Sequence, residues 1–117
     1  MTTHPDPSLL TVVSILYFRS DSRSVNRHIK GEVDNLDLLD ENEYMEVHQE
    51  RLSPCEDQER LQTILRLFTS PSNPLIKGNK QEFLRTNRLH VSMTSGDVVM
   101  LMDRAYVLTG LGFKRVC

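Results

Sequence analysis

At 117 residues the chain has room for one domain with a modest core, and its net charge of −2 is unlike the strongly basic balance usual in dedicated nucleic-acid domains. Two distant cysteines, Cys55 and Cys117, do not make a disulfide framework. The longest apolar run, residues 9–18, is about half a membrane span and has no charged leader.

The small net charge conceals three blocks. Residues 1–31 hold four basic and two acidic groups, residues 32–59 one basic and eleven acidic, and residues 60–117 nine basic and three acidic. Such blocks either neutralise one another within the fold or present separate surfaces to separate partners.

In chain order, residues 1–7 (MTTHPDP) read as a disordered leader, with two prolines and little to anchor them. Residues 9–18 (LLTVVSILYF) are apolar at nearly every position. Val12, Val13, Ile15, Tyr17 and Phe18 favour a strand by propensity, yet so short a run fits a buried helix equally, and the helices expected downstream favour helix. Arg19, Arg23 and Arg27 recur every four residues. They would line one helical face if helix continues through residues 20–24 to Gly31; a break near Ser20–Ser22 and a short second helix, Ser24 to Lys30, fits equally.

Residues 32–39 read as an acidic loop or a single turn carrying Val33, Leu36, Leu38 and Leu39. Asp40, with Glu43 three residues on, predicts a helix through Leu52 with a thin stripe of Tyr44, Met45, Val47 and Leu52. The clearest helix is Ser53 to Thr69. Ser53, Pro54 and Glu56 form a capping signature, Leu61, Ile64, Leu65 and Phe68 make one stripe, and Pro71 and Pro74 stop it.

Residues 70–79 are turn chemistry, and Asn79 opens a short helix with Phe83 and Leu84 inward. Residues 89–93 alternate apolar and polar. Ser95 then predicts a last helix with Val98, Leu101, Met102, Ala105, Tyr106 and Thr109 on one face, closed by Gly110 and Gly112. Residues 114–117 form a basic tail. The expectation is an all-α domain of about five helices over residues 8–113. The alternative is an α+β fold in which residues 9–18 pair with residues 89–93 as a two-stranded sheet.

Chemical signatures are scarce. His4, His28, His48 and His90 lack metal-ligand spacing, so no metal is expected. Gly110-Leu111-Gly112 lacks the third glycine of a dinucleotide loop, so no cofactor is expected either. Cys55 has acidic neighbours that oppose thiolate formation, and no nucleophile stands beside a base. The expectation is a small non-enzymatic interaction module, of adaptor or viral accessory type, inside the cell in cytoplasm or nucleus. It would act through helical surfaces on a protein partner or a second copy of itself, with no membrane or small-molecule substrate. Leu36, Leu38, Leu39 and Leu111 are the candidate contact points. Association with RNA or DNA is the alternative, through Arg19, Arg23, Arg27, His28 and Lys30 together with Lys77, Lys80, Arg85 and Arg88.

Overall fold

A computed structural model describes residues 10–116 of the chain; the leader at residues 1–7 and Cys117 lie outside the described residues. The architecture is α+β, not all-α. Five antiparallel strands form one sheet: β1 (Thr11–Phe18), β2 (Tyr44–Leu52), β3 (Val98–Leu101), β4 (Arg104–Thr109) and β5 (Gly112–Arg115), in the order β2-β1-β3-β4-β5. Four helices accompany it: α1 (Val25–Ile29), α2 (Asn35–Leu39), α3 (Asp57–Phe68) and α4 (Lys80–Thr86).

Strand β1 explains the arrangement. Its side chains alternate between faces, and both faces are apolar. Val13, Ile15 and Tyr17 join one cluster with Leu61, Ile64 and Phe68 of α3 and Leu84 of α4. Leu16 and Phe18 join a second, smaller cluster with Val33, Tyr44 and Val107. A strand buried on both faces reads as a continuous apolar run, so helical and strand readings could not be separated by periodicity. Bonding to β2 on one side and β3 on the other makes it strand.

Besides the helix expected over residues 9–18, three predicted helices or pairings are overturned. The helix expected from Asp40 to Leu52 is strand β2. The Asp40 side chain accepts from the backbone of Asn42 at 2.9 Å, while its carbonyl accepts from Glu43 and Tyr44, making a turn that leads into a strand. The helix expected from Ser95 is the β3–β4 hairpin. Its side chains at Val98, Leu101, Ala105 and Tyr106 are buried, but not on one face: Leu101 and Tyr106 join the first cluster and Val98 and Ala105 the second. The hairpin turns at Met102 and Asp103, with Met102 at φ +61°, a conformation for which glycine or asparagine is the usual signal. Residues 89–93 are no strand. Side-chain bonds hold them, with the Tyr17 hydroxyl donating to the Val91 carbonyl at 2.9 Å and Asn73 donating to the same oxygen at 3.0 Å.

The central helix forms, but from Asp57 rather than Ser53. Glu56 is its extended N-cap without a side-chain bond, so the Ser53–Glu56 capping box is absent. Instead Asp57 is gripped by Arg104 at 2.7 and 2.9 Å and by the Tyr106 hydroxyl at 2.5 Å, which pins the start of α3 to β4. The Arg104 guanidinium and then the Tyr106 hydroxyl hold the Asp57 carboxyl below the usual carboxylate range. Lys114 and Arg115, expected in a tail, lie in β5.

The exposed edge of β2 is guarded. One extra residue bulges the strand opposite Ile15 and Leu16, and Lys80 Nζ donates to the Val47 carbonyl at 3.3 Å. A bulge and a lysine are common means of blocking strand addition. The face covered by α3 contributes most of the core. Phe68 is 1% exposed, and Phe68→Ala should lower unfolding free energy by about 3–5 kcal/mol in urea titration.

Candidate functional site

The second sheet face is only partly covered, and α2 sits at the margin of the cover. Its orientation is set by Asp37. Asp34 Oδ1 accepts from the Asp37 backbone at 2.9 Å and Asp37 Oδ2 accepts from the Asp34 backbone at 3.0 Å, a reciprocal capping box. Arg27 of α1 adds two parallel bonds to the Asp37 carboxylate, at 2.7 and 2.8 Å. Burial draws that carboxyl upward, but the Arg27 guanidinium and the Asp34 N–H outweigh it, leaving it below its ordinary range.

Turning Asp37 inward turns Leu36 and Leu39 outward. They are 77% and 81% exposed, whereas Asp37 is 8% exposed. Leu38 packs sideways on the second cluster. Between α2 and the sheet lies a groove of about 530 Å³, walled by Leu38, Leu39, Met45 and Met100, with Glu41 and Glu46 also lining it. Both acids are exposed at the rim, where the Arg19 guanidinium also reaches the Glu41 carbonyl at 3.4 Å and Met45 Sδ at 3.9 Å.

A chain of buried polar groups runs behind this face. His28 is fully buried, its Nε2 lying 2.9 Å from Glu43 Oε2, and Ser22 donates to the same oxygen. The Tyr44 ring packs on His28, and its hydroxyl donates to the Gly96 carbonyl at 2.6 Å. Next in the chain, Asp97 is fully buried. It faces His90 Nε2 at 2.6 Å and accepts from the backbone N–H of Thr94 at 2.8 Å and of Phe18 at 3.3 Å. Tyr17 stacks on His90 with ring centres 4.4 Å apart. Burial pushes the Asp97 carboxyl up to about 6, against the opposite pull of His90 and the two N–H donors. Burial, reinforced by the Asp97 charge, also raises the phenols of Tyr17 and Tyr44.

Neither histidine pair has the order needed for a nucleophile. The Glu43 carboxylate stands between Ser22 and His28, so the imidazole is not placed to take the serine proton. A polar cavity of about 420 Å³ opens beside Ser22, lined by Arg19, Arg23, Asp21 and Asp40 among others, with charges of both signs. Among the described residues, no group of three or more His, Cys, Asp or Glu could hold a metal ion, and no helix is long and apolar enough to cross a membrane.

The predicted cations do not form a helical face. Arg19 bonds Asp21 at 3.2 Å, Arg27 is committed to Asp37, and His28 is buried. Lys80 covers the β2 edge and lies 5.8 Å from the Phe83 ring centre, while Arg85 pairs with Glu82 at 3.3 Å. Arg23, Lys30, Lys77 and Arg88 are exposed. The two clusters do meet at one point, where Ser20 donates through its backbone and hydroxyl to the Arg88 carbonyl at 3.2 and 2.8 Å. Of the predicted leucines, Leu36 and Leu39 stand out from α2, Leu38 walls the groove, and Leu111 is fully exposed in the β4–β5 turn. Sequence reasoning missed Asp37, Glu43 and Asp97. For Asp97 a signal existed, a carboxylate directly beside the apolar pair Val98-Val99.

A 56-residue segment is 34% identical to an uncharacterized protein, R785, of Acanthamoeba polyphaga mimivirus. The match covers 48% of this chain and 52% of that protein, so the chain spans about half the length of the curated relative it matches. No family model matches the chain, and no solved structure matches it.

Asp97 yields a test with a definite sign. Its folded pKa of about 6 exceeds the ordinary 3.8, so the folded chain binds the extra proton between those values. The resulting stabilisation is full below about pH 4 and is lost as pH rises through 6. Asp97→Ala should cost about 3 kcal/mol or more near neutrality, because three donors lose their acceptor. With Asp97→Asn, the stability deficit against wild type should shrink from pH 4 to pH 6, measured by urea unfolding at each pH.

Proposed function

We propose that the protein is a non-enzymatic, self-associating interaction module whose docking surface is the groove beside α2. The observation that carries this reading is the inverted helix. A short amphipathic helix at a sheet margin ordinarily buries its leucines and exposes its acids. Here α2 buries Asp37, fixed by Arg27 and its own cap, and exposes Leu36 and Leu39. The arrangement holds an apolar surface rigidly in solvent at a cost in folding energy, as interaction surfaces do.

Further support comes from the edges and the cations. The guarded β2 edge, which lies beside the groove, disfavours docking by strand addition there. Pairing of Arg19, Arg27 and Arg85 with acids leaves fewer cations for phosphate, which places nucleic-acid binding second; the meeting of the two basic clusters at Ser20 and Arg88 is what favours it at all. The exposed free thiol of Cys55 suits a reducing, intracellular setting.

Size exclusion with light scattering tests the reading. Wild type should exceed its monomer mass of 13.5 kDa as concentration rises, carry no 260-nm-absorbing material, and return to monomer in the Leu36→Glu/Leu39→Glu double variant. A monomer at every concentration, or nucleic acid released by high salt, would overturn it.

A further inference from the structure

We infer that the occupant of the α2 groove is the β4–β5 turn of a second copy, with Leu111 as its anchor. This rests on the self-association reading above and names the contact. Leu111 is 103% exposed, the most exposed large apolar residue among those described. It is held there by a built turn. The Thr109 hydroxyl donates to the Gly112 carbonyl at 2.7 Å and accepts from the Leu111 backbone N–H at 3.1 Å. A rigid turn displaying one leucine loses little entropy on docking.

The charges around the two surfaces are complementary. Lys114, two residues past Gly112, is exposed on β5 and pairs with Val107, whose side chain belongs to the second cluster; Lys114 is therefore on the same sheet face as α2. Lys30 is exposed just before Gly31, and Gly31 packs so closely on Thr109 that an added Cβ would lie 2.7 Å from its methyl group. The turn thus carries a leucine with Lys114 and Lys30 near it, exposed Glu32 following Gly31, and the groove is apolar with Glu41 and Glu46 at its rim. A two-fold contact of groove on groove would oppose acid to acid, and turn on turn would oppose lysine to lysine. The unlike pairing sets lysine against glutamate and a leucine against an apolar groove.

Each copy offers one turn and one groove; exchanged reciprocally the contact makes a two-fold dimer, and otherwise it is head-to-tail. A head-to-tail contact gives a ring if the rotation closes and an open chain of copies if it does not. One turn and one short helix make a small interface, so assembly should depend on concentration and weaken with salt.

Turn-into-groove pairing has a distinctive test. Leu111→Glu removes the turn anchor and Leu39→Glu charges the groove, both at exposed positions, so each variant should keep the wild-type circular dichroism. Each alone should be monomeric by light scattering at concentrations where wild type assembles. Mixed one to one, the two should form a species of twice the monomer mass and nothing larger, because one intact turn still meets one intact groove. If Leu111→Glu assembles like wild type while Leu39→Glu does not, the groove takes something other than the turn; this inference falls and the self-association reading stands. A mixture that remains monomeric also overturns it. Should Leu111→Glu fail to fold, Leu111→Ser serves with the same readout. A wild type that never assembles overturns both readings together.

Discussion

Strand β1 is apolar on both faces, and that single constraint organises the molecule. Neither face can be left to water, so the chain must cover the sheet from two sides. The segment between β2 and β3 supplies α3 and α4 for one side, where the larger cluster forms. The short segment between β1 and β2 supplies α1 and α2 for the other, and it is too short to cover that face completely. The groove beside α2 is the uncovered remainder. Its existence follows from the unequal lengths of the two connections, and its character follows from what α2 turns toward it.

Polar groups do structural duty where apolar cover is thin. Asp97 links the end of β1 to the loop before β3 through the Phe18 and Thr94 N–H groups and His90. Glu43 similarly receives Ser22 and His28, joining the turn after β1 to the start of β2. Removing one partner from such a network strands the others in a low-dielectric interior, so the groups are coupled in their cost. The same economy explains the fate of the acidic block. Asp37, Glu43 and Asp57 are drawn into partnerships with Arg27, His28 and Arg104, while Glu41 and Glu46 are left to edge the groove. Internal neutralisation and surface display therefore both occur, divided residue by residue.

How much of this was legible depends on which signals were local. The stripe of Leu61, Ile64 and Phe68 predicted α3 because helix period and burial agree there. The short helix opening at Asn79 was legible from its cap position, although the Asn79 side chain makes no capping bond, and α4 buries Leu84 as expected. The sheet was not legible, for three different reasons. In β1, burial on both faces erased the period-two pattern. In β3 and β4, positions 98, 101, 102, 105, 106 and 109 match a helical stripe by coincidence of spacing, and the intervening turn uses Met102 at positive φ where no glycine advertises it. In β2, the Asp40 turn imitates a helix cap, and only the hydrogen bonds to β1 distinguish the two.

The candidate surface was half legible. Leu36, Leu38, Leu39 and Leu111 stood out because no predicted core position claimed them, and the exposure of three of them has a structural cause. For Leu36 and Leu39 that cause is Asp37, whose inward turn is determined by Arg27, ten residues earlier on another helix. No reading of α2 alone reveals it, since an Asn-Leu-Asp-Leu-Leu segment is expected to bury its leucines. For Leu111 the cause is the Thr109 hydroxyl bridging the turn, which is local but has no helical or strand periodicity to expose it. A surface held open by buried charge on one side and by a braced turn on the other persists without a partner, so the apolar residues stay presented rather than collapsing onto the sheet. That persistence is what the proposed docking reading requires of the face.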